Sequence, residues 1–184
     1  MTKHPPHDNA VQAMHQELGI PDSYADTCKL DFHPDCGTLV ETEPDVFGRQ
    51  PLLAAEAFSA WQTMQSRALA DGITLQIVSA YRSAEYQKGL LRKKLDRGEA
   101  LDAILKVNAA PGYSEHHSGC ALDVTSPGYT PLEEEFENSP AFRWLSDHAA
   151  DFGFTLSFPR DNALGMNYEP WHWKYTPGTK QKGN

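Results

Sequence analysis

This 184-residue sequence has little cysteine, no long apolar run and no excess of positive charge. Three cysteines are too few to staple a small disulfide scaffold. Cys28 and Cys36 are close enough in sequence to leave a bridge open, although two free thiols are the simpler reading. No stretch approaches the ~18 consecutive apolar residues of a membrane span. The N-terminal run Met-Thr-Lys-His-Pro-Pro-His has no apolar segment of the kind a secretory signal carries. The cytoplasm is therefore the expected location, with the periplasm or the extracellular space as the alternative. The formal net charge of -9 argues against a general nucleic-acid binder, which needs a basic face. One basic run, Lys88 to Arg97, reads as the solvated side of a helix. There is no internal repeat and no heptad seam, so oligomeric state is not written in the sequence.

What is present is ordinary for a globular chain: 40% hydrophobic and 22% charged residues, enough for one domain with its own core. Residues 1–8 read as a loose leader, and Ala10 to Leu18 as a short helix before Gly19. Residues 21–50 read as irregular, with a short hairpin around Asp35-Cys36-Gly37. From Pro51 to Asp71 the apolar residues Ala54, Ala57, Phe58, Trp61, Met64 and Ala68 follow helical steps, with Pro51 early and Gly72 as the stop. Ile73 to Ser79 reads as a buried strand, and Ala84 to Arg97 and Ala100 to Val107 as helices. Cys120 to Thr125 is a predicted strand, Pro140 to Phe152 a helix ended by Gly153, and Phe154 to Phe158 and Trp171 to Tyr175 further strands. Helices and strands mix without βαβ alternation. The expected fold class is therefore α+β: a single domain with a mainly antiparallel sheet flanked by helices.

The chemistry is concentrated in three places. Ser114-Glu115-His116-His117-Ser118-Gly119-Cys120-Ala121-Leu122-Asp123 precedes and enters a strand, and Glu169-Pro170-Trp171-His172 enters another. Together they offer imidazole and carboxylate ligands with one carboxylate to spare, as a catalytic zinc site needs: three protein ligands, an open position, and a base. Strand parity puts Cys120, Leu122 and Val124 on a core face and Gly119, Ala121 and Asp123 on the floor of a cleft. Either His116 or His117 can reach Asp123 by this spacing. In the last segment His172 and Lys174 share one face, and Pro170 turns the chain so that Glu169 lies beside His172, placed as a base. The third segment, Ser79-Ala80-Tyr81-Arg82-Ser83-Ala84-Glu85-Tyr86-Gln87, leaves a strand and enters a helix; an Arg there can bind a carboxylate or an oxyanion.

In this order, Ser-x-Tyr-Arg-Ser-x-x-x-Gln at 79–87, Ser-x-His-x-x-Gly-x-Ala-x-Asp at 114–123 and Glu-Pro-Trp-His at 169–172 resemble the VanY-type D-alanyl-D-alanine carboxypeptidases. These are zinc peptidases related to VanX dipeptidases and the Hedgehog fold. The resemblance covers residues 50–176, leaving 1–49 as an N-terminal extension and 177–184 as a tail. It implies that His116, Asp123 and His172 hold Zn2+, that Glu169 is the catalytic base and that Arg82 steadies the scissile carbonyl. Ser114, Gln87 and Trp171 would then serve the substrate side. His117 replaces what is often Gln, and Cys120 what is often an aliphatic residue. The implied activity is hydrolysis of the terminal D-alanine bond of peptidoglycan stem peptides, whether polymeric or as muropeptides. The alternatives are an L,D-cut on tetrapeptides, a D-Ala-D-Ala dipeptidase and a crosslink endopeptidase. Outside the enzymes, a zinc-containing module that binds wall peptides is the competing reading, although such a module has no need of Glu169.

Overall fold

The computed structural model describes residues 8–176 and residue 178. The leader expected over residues 1–8, apart from Asp8, and most of the tail expected over residues 177–184 lie outside these residues.

Helix α1 (Asn9–Leu18) begins where the Asp8 carboxylate accepts the N–H groups of Ala10 and Val11. It stops at Gly19, whose φ of 72° favours glycine. A short α2 (Tyr24–Thr27) follows. The hairpin expected around Asp35-Cys36-Gly37 does not form, because long-range partners claim this backbone. The Asp35 carboxylate accepts from the Ala84 N–H, and the Cys36 N–H donates to the His117 carbonyl. Pairing appears later, between β1 (Val40–Glu41) and β2 (Leu52–Leu53), which run antiparallel. Pro51 therefore leads into β2 and does not open the next helix. Its carbonyl accepts from Thr42 N–H, while the Leu52 carbonyl accepts from Tyr81 N–H.

Helix α3 (Ala55–Ala70) buries Ala57, Trp61, Met64 and Ala68 on one stripe, as the helical steps predict. Gly72, at φ 79°, ends it, and the Ile73 N–H closes the turn onto the Ala68 carbonyl. Then come β3 (Gln76–Ser79), α4 (Ala84–Asp96), α5 (Leu101–Val107) and β4 (Ala121–Thr125). The last part of the chain holds α6 (Pro140–His148), β5 (Phe154–Leu156) and β6 (His172–Tyr175). The helix expected to reach Phe152 tightens into a 3-10 turn at Ala149–Phe152 before Gly153. β3, β4, β6 and β5 form one antiparallel sheet in that order, so the α+β expectation holds.

Leu122, Val124 and Trp173 enter the main core with Trp61, Met64 and Leu145. Each such side chain stabilises the fold by roughly 1.5–3 kcal/mol relative to exposure. A second cluster joins Leu18 and Ile20 to Leu91, Ile104 and Tyr113, so the segment before residue 50 packs directly onto α4 and α5. All three cysteines are free thiols.

Two details of the expected cleft floor need correction. Cys120 lies just before β4, half-buried, and joins neither apolar cluster. Gly119 does not open space for a ligand. It sits at φ 68°, and a Cβ there would lie 2.8 Å from Leu39 Cδ2 and 3.0 Å from the Ala54 nitrogen. Its smallness serves a crowded left-handed turn that ends the preceding 3-10 segment.

Candidate active site

The site is built by register. In the β4–β6 ladder Asp123 is the direct partner of His172. Facing residues on neighbouring strands lie on one side of the sheet. Since Leu122 and Trp173 point into the core, Asp123 and His172 emerge together on the opposite face. His172 Nδ1 is 3.1 Å from Asp123 Oδ1.

His116 reaches the same point from a 3-10 turn, Glu115–Ser118. Its Nδ1–H donates to the Ala80 carbonyl at 2.6 Å, which leaves Nε2 as the lone-pair nitrogen. That Nε2 is buried without a hydrogen-bond partner and lies 3.3 Å from Asp123 Oδ2. Two lone pairs facing each other in a buried site are unfavourable unless a cation sits between them. One ligand atom each from His116, Asp123 and His172 lies within 4.8 Å of the others. The donor set fits a metal of the zinc type.

His117, the alternative ligand, is engaged elsewhere. Its Nδ1–H donates to the Arg82 carbonyl at 2.6 Å, and its Nε2 accepts from the Gly112 N–H at 3.1 Å. The first motif thus holds the second in place: residues 80–82 supply the acceptors that fix both histidines, and the Arg82 N–H donates to the His116 carbonyl. Ser83 caps α4 by accepting from Tyr86 N–H, which explains a serine directly after the arginine.

Glu169 arrives by a turn. The His172 N–H donates to the Glu169 carbonyl at 3.1 Å across Pro170 and Trp171. This brings Glu169 Oε2 to 3.8 Å from His172 Nδ1, alongside the three ligand residues and separate from them.

Electrostatics divide the labour. Burial, assisted by the Arg82 charge, pushes His116 down to about 4, so it is a neutral donor at neutral pH. Burial opposes charge on His172, but hydrogen bonds to Asp123 and Glu115 outweigh it and push the imidazole up to about 10. Burial likewise opposes charge on Asp123, yet the adjoining imidazoles hold its carboxyl well below the usual range. For Glu169 burial dominates and pushes it up to about 7, with His172 pulling the other way and Asp123 adding to the rise. A carboxyl poised near neutrality is suited to moving a proton in either direction.

Arg82, Gln87, Ser114 and Trp171 line the same cleft of about 400 Å³. Arg82 Nε and Gln87 Oε1 are buried there without partners. The Gln87 amide is held by its Nε2–H donating to the Ala109 carbonyl at 2.9 Å. Trp171 lines the cleft and also packs against the main core.

Two residues outside the sequence-derived set belong to this site. Glu115 Oε2 accepts from His172 Nε2 at 2.9 Å, and its Oε1 accepts from Lys174 Nζ at 3.0 Å. Burial acts against the Glu115 charge, but the hydrogen bond from His172 holds its carboxyl well below the usual range. A ligand histidine fixed through its second nitrogen by a carboxylate is a recurrent device of metal sites. The shared face of His172 and Lys174 was the one sequence signal that could have pointed to it. Asn108 also lines the cleft, and its Oδ1 is buried without a partner. Nothing in its loop sequence marks it.

The chain resembles known proteins over most of its length. Residues 50–178 match the family described as VanY, D-alanyl-D-alanine carboxypeptidase. A D-alanyl-D-alanine carboxypeptidase of Enterococcus faecalis is 32% identical over 124 residues, covering 62% of this chain and 44% of that protein. The chain spans less than half the length of the curated carboxypeptidases it first matches. Among solved structures, the LdcB LD-carboxypeptidase superposes with a TM-score of 0.70 at 28% identity, over 80% of this chain and 71% of that one. A variant of the vancomycin-resistance D,D-pentapeptidase VanY, in complex with Zn(II), superposes with a TM-score of 0.63 at 26% identity, over 79% and 83%. The match spans every residue of the metal-ligand cluster and the turn that carries Glu169, and the chain belongs to the VanY family of D-alanyl-D-alanine carboxypeptidases.

Proposed function

We propose that this chain is a zinc-dependent D,D-carboxypeptidase that removes the terminal D-alanine from peptidoglycan stem peptides. The observation that carries the reading is the convergence of His116, Asp123 and His172 within 4.8 Å, with Glu169 beside them pushed up to about 7. His116, Asp123 and His172 would hold the ion. When bound, zinc supplies Lewis-acid polarisation and acidifies water near it.

The chain's own groups supply the rest. Glu169 accepts the proton of the water that attacks the peptide carbonyl, then returns it to the departing D-alanine nitrogen. The Arg82 guanidinium offsets the negative charge that grows on the carbonyl oxygen. Gln87 and Ser114 present polar groups to the peptide, and Trp171 forms an apolar wall of the cleft. Glu115, through His172, keeps the ligand ring oriented. The similarity to the LdcB LD-carboxypeptidase favours one second reading, an L,D-cut on tetrapeptides.

The test is D-alanine release from a muramyl pentapeptide and the matching tetrapeptide, using zinc-loaded wild type and Glu169→Ala. The expected result is release from the pentapeptide, with the variant slower by about 10²–10⁴-fold while binding zinc as before. Preference for the tetrapeptide would establish the L,D reading. Full activity in Glu169→Ala would refute the assigned base.

A further inference from the structure

The basic run Lys88 to Arg97 does not form one solvated face. It divides. Lys88 pairs with Glu17 and Glu85, and Arg92 donates to the Glu17 carbonyl, so these two face α1. Lys93, Lys94 and Arg97 turn the other way and line a groove of about 350 Å³. None of these three side chains has an ion-pair or hydrogen-bond partner among the described residues. Arg49 also reaches this groove but is engaged by the buried Asp45 carboxylate. On a chain of net charge -9, three uncompensated cations side by side form a local site for an anion.

The groove is continuous with the catalytic cleft: Arg82, Lys94, Asn108, Asp123 and Leu132 line both. Leu132 stands at the junction, 45% exposed, with a φ of 63°. A left-handed conformation at leucine is strained and persists where the surroundings demand it, often at ligand sites. On the far side Phe47 and Tyr86 are exposed aromatic surfaces, 60% and 53% accessible, that border the same groove. From Tyr86 to Arg97 the lining face of α4 runs about 16 Å, the reach of about five residues of extended peptide.

A carboxypeptidase leaves one residue beyond the bond it cuts, so a groove extending past the cleft can receive only the upstream part of its substrate. Resting on the carboxypeptidase reading, we propose that this groove is a specificity subsite for an upstream carboxylate of the substrate peptide. Lys93, Lys94 and Arg97 bind that carboxylate, and Phe47 and Tyr86 support the peptide's apolar portions. The site discriminates between peptides bearing a free carboxylate upstream and those in which it is amidated.

The experiment compares two pentapeptides ending in D-Ala-D-Ala. They differ only in a carboxylate or a carboxamide on the second residue. D-alanine release is measured with wild type and with Lys93→Gln/Arg97→Gln, two exposed positions outside the catalytic cleft. Dissociation constants are measured by calorimetry on zinc-loaded Glu169→Ala protein with and without the same two changes, so binding is read without turnover. The carboxylate peptide should bind about threefold to tenfold more tightly at low salt, through KM and not kcat. The preference should fade as salt is raised and shrink in the double variant, which keeps only Lys94 of the three cations, while the carboxamide peptide is unaffected. Equal affinity for the two peptides would overturn the subsite. So would a double variant that weakens both alike, or a groove that binds tripolyphosphate but ignores the peptide's charge. Absence of D-alanine release by wild type would count against the carboxypeptidase reading instead, since the calorimetric comparison stands apart from catalysis.

Discussion

His172 lies between two carboxylates, Asp123 on one ring nitrogen and Glu115 on the other. Without metal it is held as an imidazolium, pushed up to about 10. Coordination through Nδ1 must expel that proton, so protons compete with zinc and affinity weakens as pH falls. Between about pH 8 and 9, where Glu169 has already ionised and His172 still carries its proton, zinc uptake should release at least one proton. Calorimetry in buffers of different ionisation enthalpy measures this directly, and release near zero would place the metal elsewhere. Glu115 makes a separate prediction. Glu115→Gln keeps an acceptor for the His172 N–H but removes the charge, and should weaken zinc binding by about 10- to 100-fold in a competition titration with a chelator. The histidine choice is also made at this scale. Sequence spacing left His116 and His117 equivalent; the Gly112 N–H and the Arg82 carbonyl decide between them by occupying both His117 nitrogens.

Among elements, the pairing of β4 with β6 and the turn at 115–119 carry the site. Period-two alternation placed Asp123 opposite Leu122 and Val124, and His172 opposite Trp173, before any partner strand was known. The same reasoning failed at Gly119, where the backbone has already left strand geometry. Gly119→Ala combines a φ of 68° with a 2.8 Å approach to Leu39 Cδ2. It should destabilise the protein by about 1–3 kcal/mol in denaturant unfolding and loosen His116 with it. A variant as stable as wild type would show that the turn is not constrained. Helix α4 adds a different lesson. Its basic run was visible, but a run of charges has no direction until the helix has neighbours. Packing against α1 neutralises Lys88 and leaves Lys93, Lys94 and Arg97 to the groove.

Across the whole molecule, the ligands come from β4, β6 and a turn tied to residues 80–82, so an ion bound to them clamps distant parts of the chain. Binding that favours the folded state adds about 2.7 kcal/mol when free zinc is a hundredfold above its dissociation constant. Thermal melting should therefore shift upward by several degrees on adding zinc and return with a chelator. The His116→Ala variant should melt at one temperature regardless of zinc. A zinc-dependent shift that survived this substitution would mean that His116 is not a ligand.

The sequence by itself determined the donor types, the faces that Asp123 and His172 take on their strands, the turn that swings Glu169 beside His172, and the helices whose apolar stripes mark them. These follow from local backbone periodicity and from the fixed geometry of glycine and proline, which act within a few residues. Only the tertiary structure decided that Asp123 faces His172 across 49 residues of chain, that Ala80 fixes the tautomer of His116, and that Glu115 stands behind His172. It also decided that β1 and β2 take residues near Pro51 from the expected helix, and that three cations of a basic run open toward the cleft. Those outcomes depend on strand register and on which buried polar groups find partners. Both are set by contacts between segments far apart in the chain, where no local spacing can anticipate them.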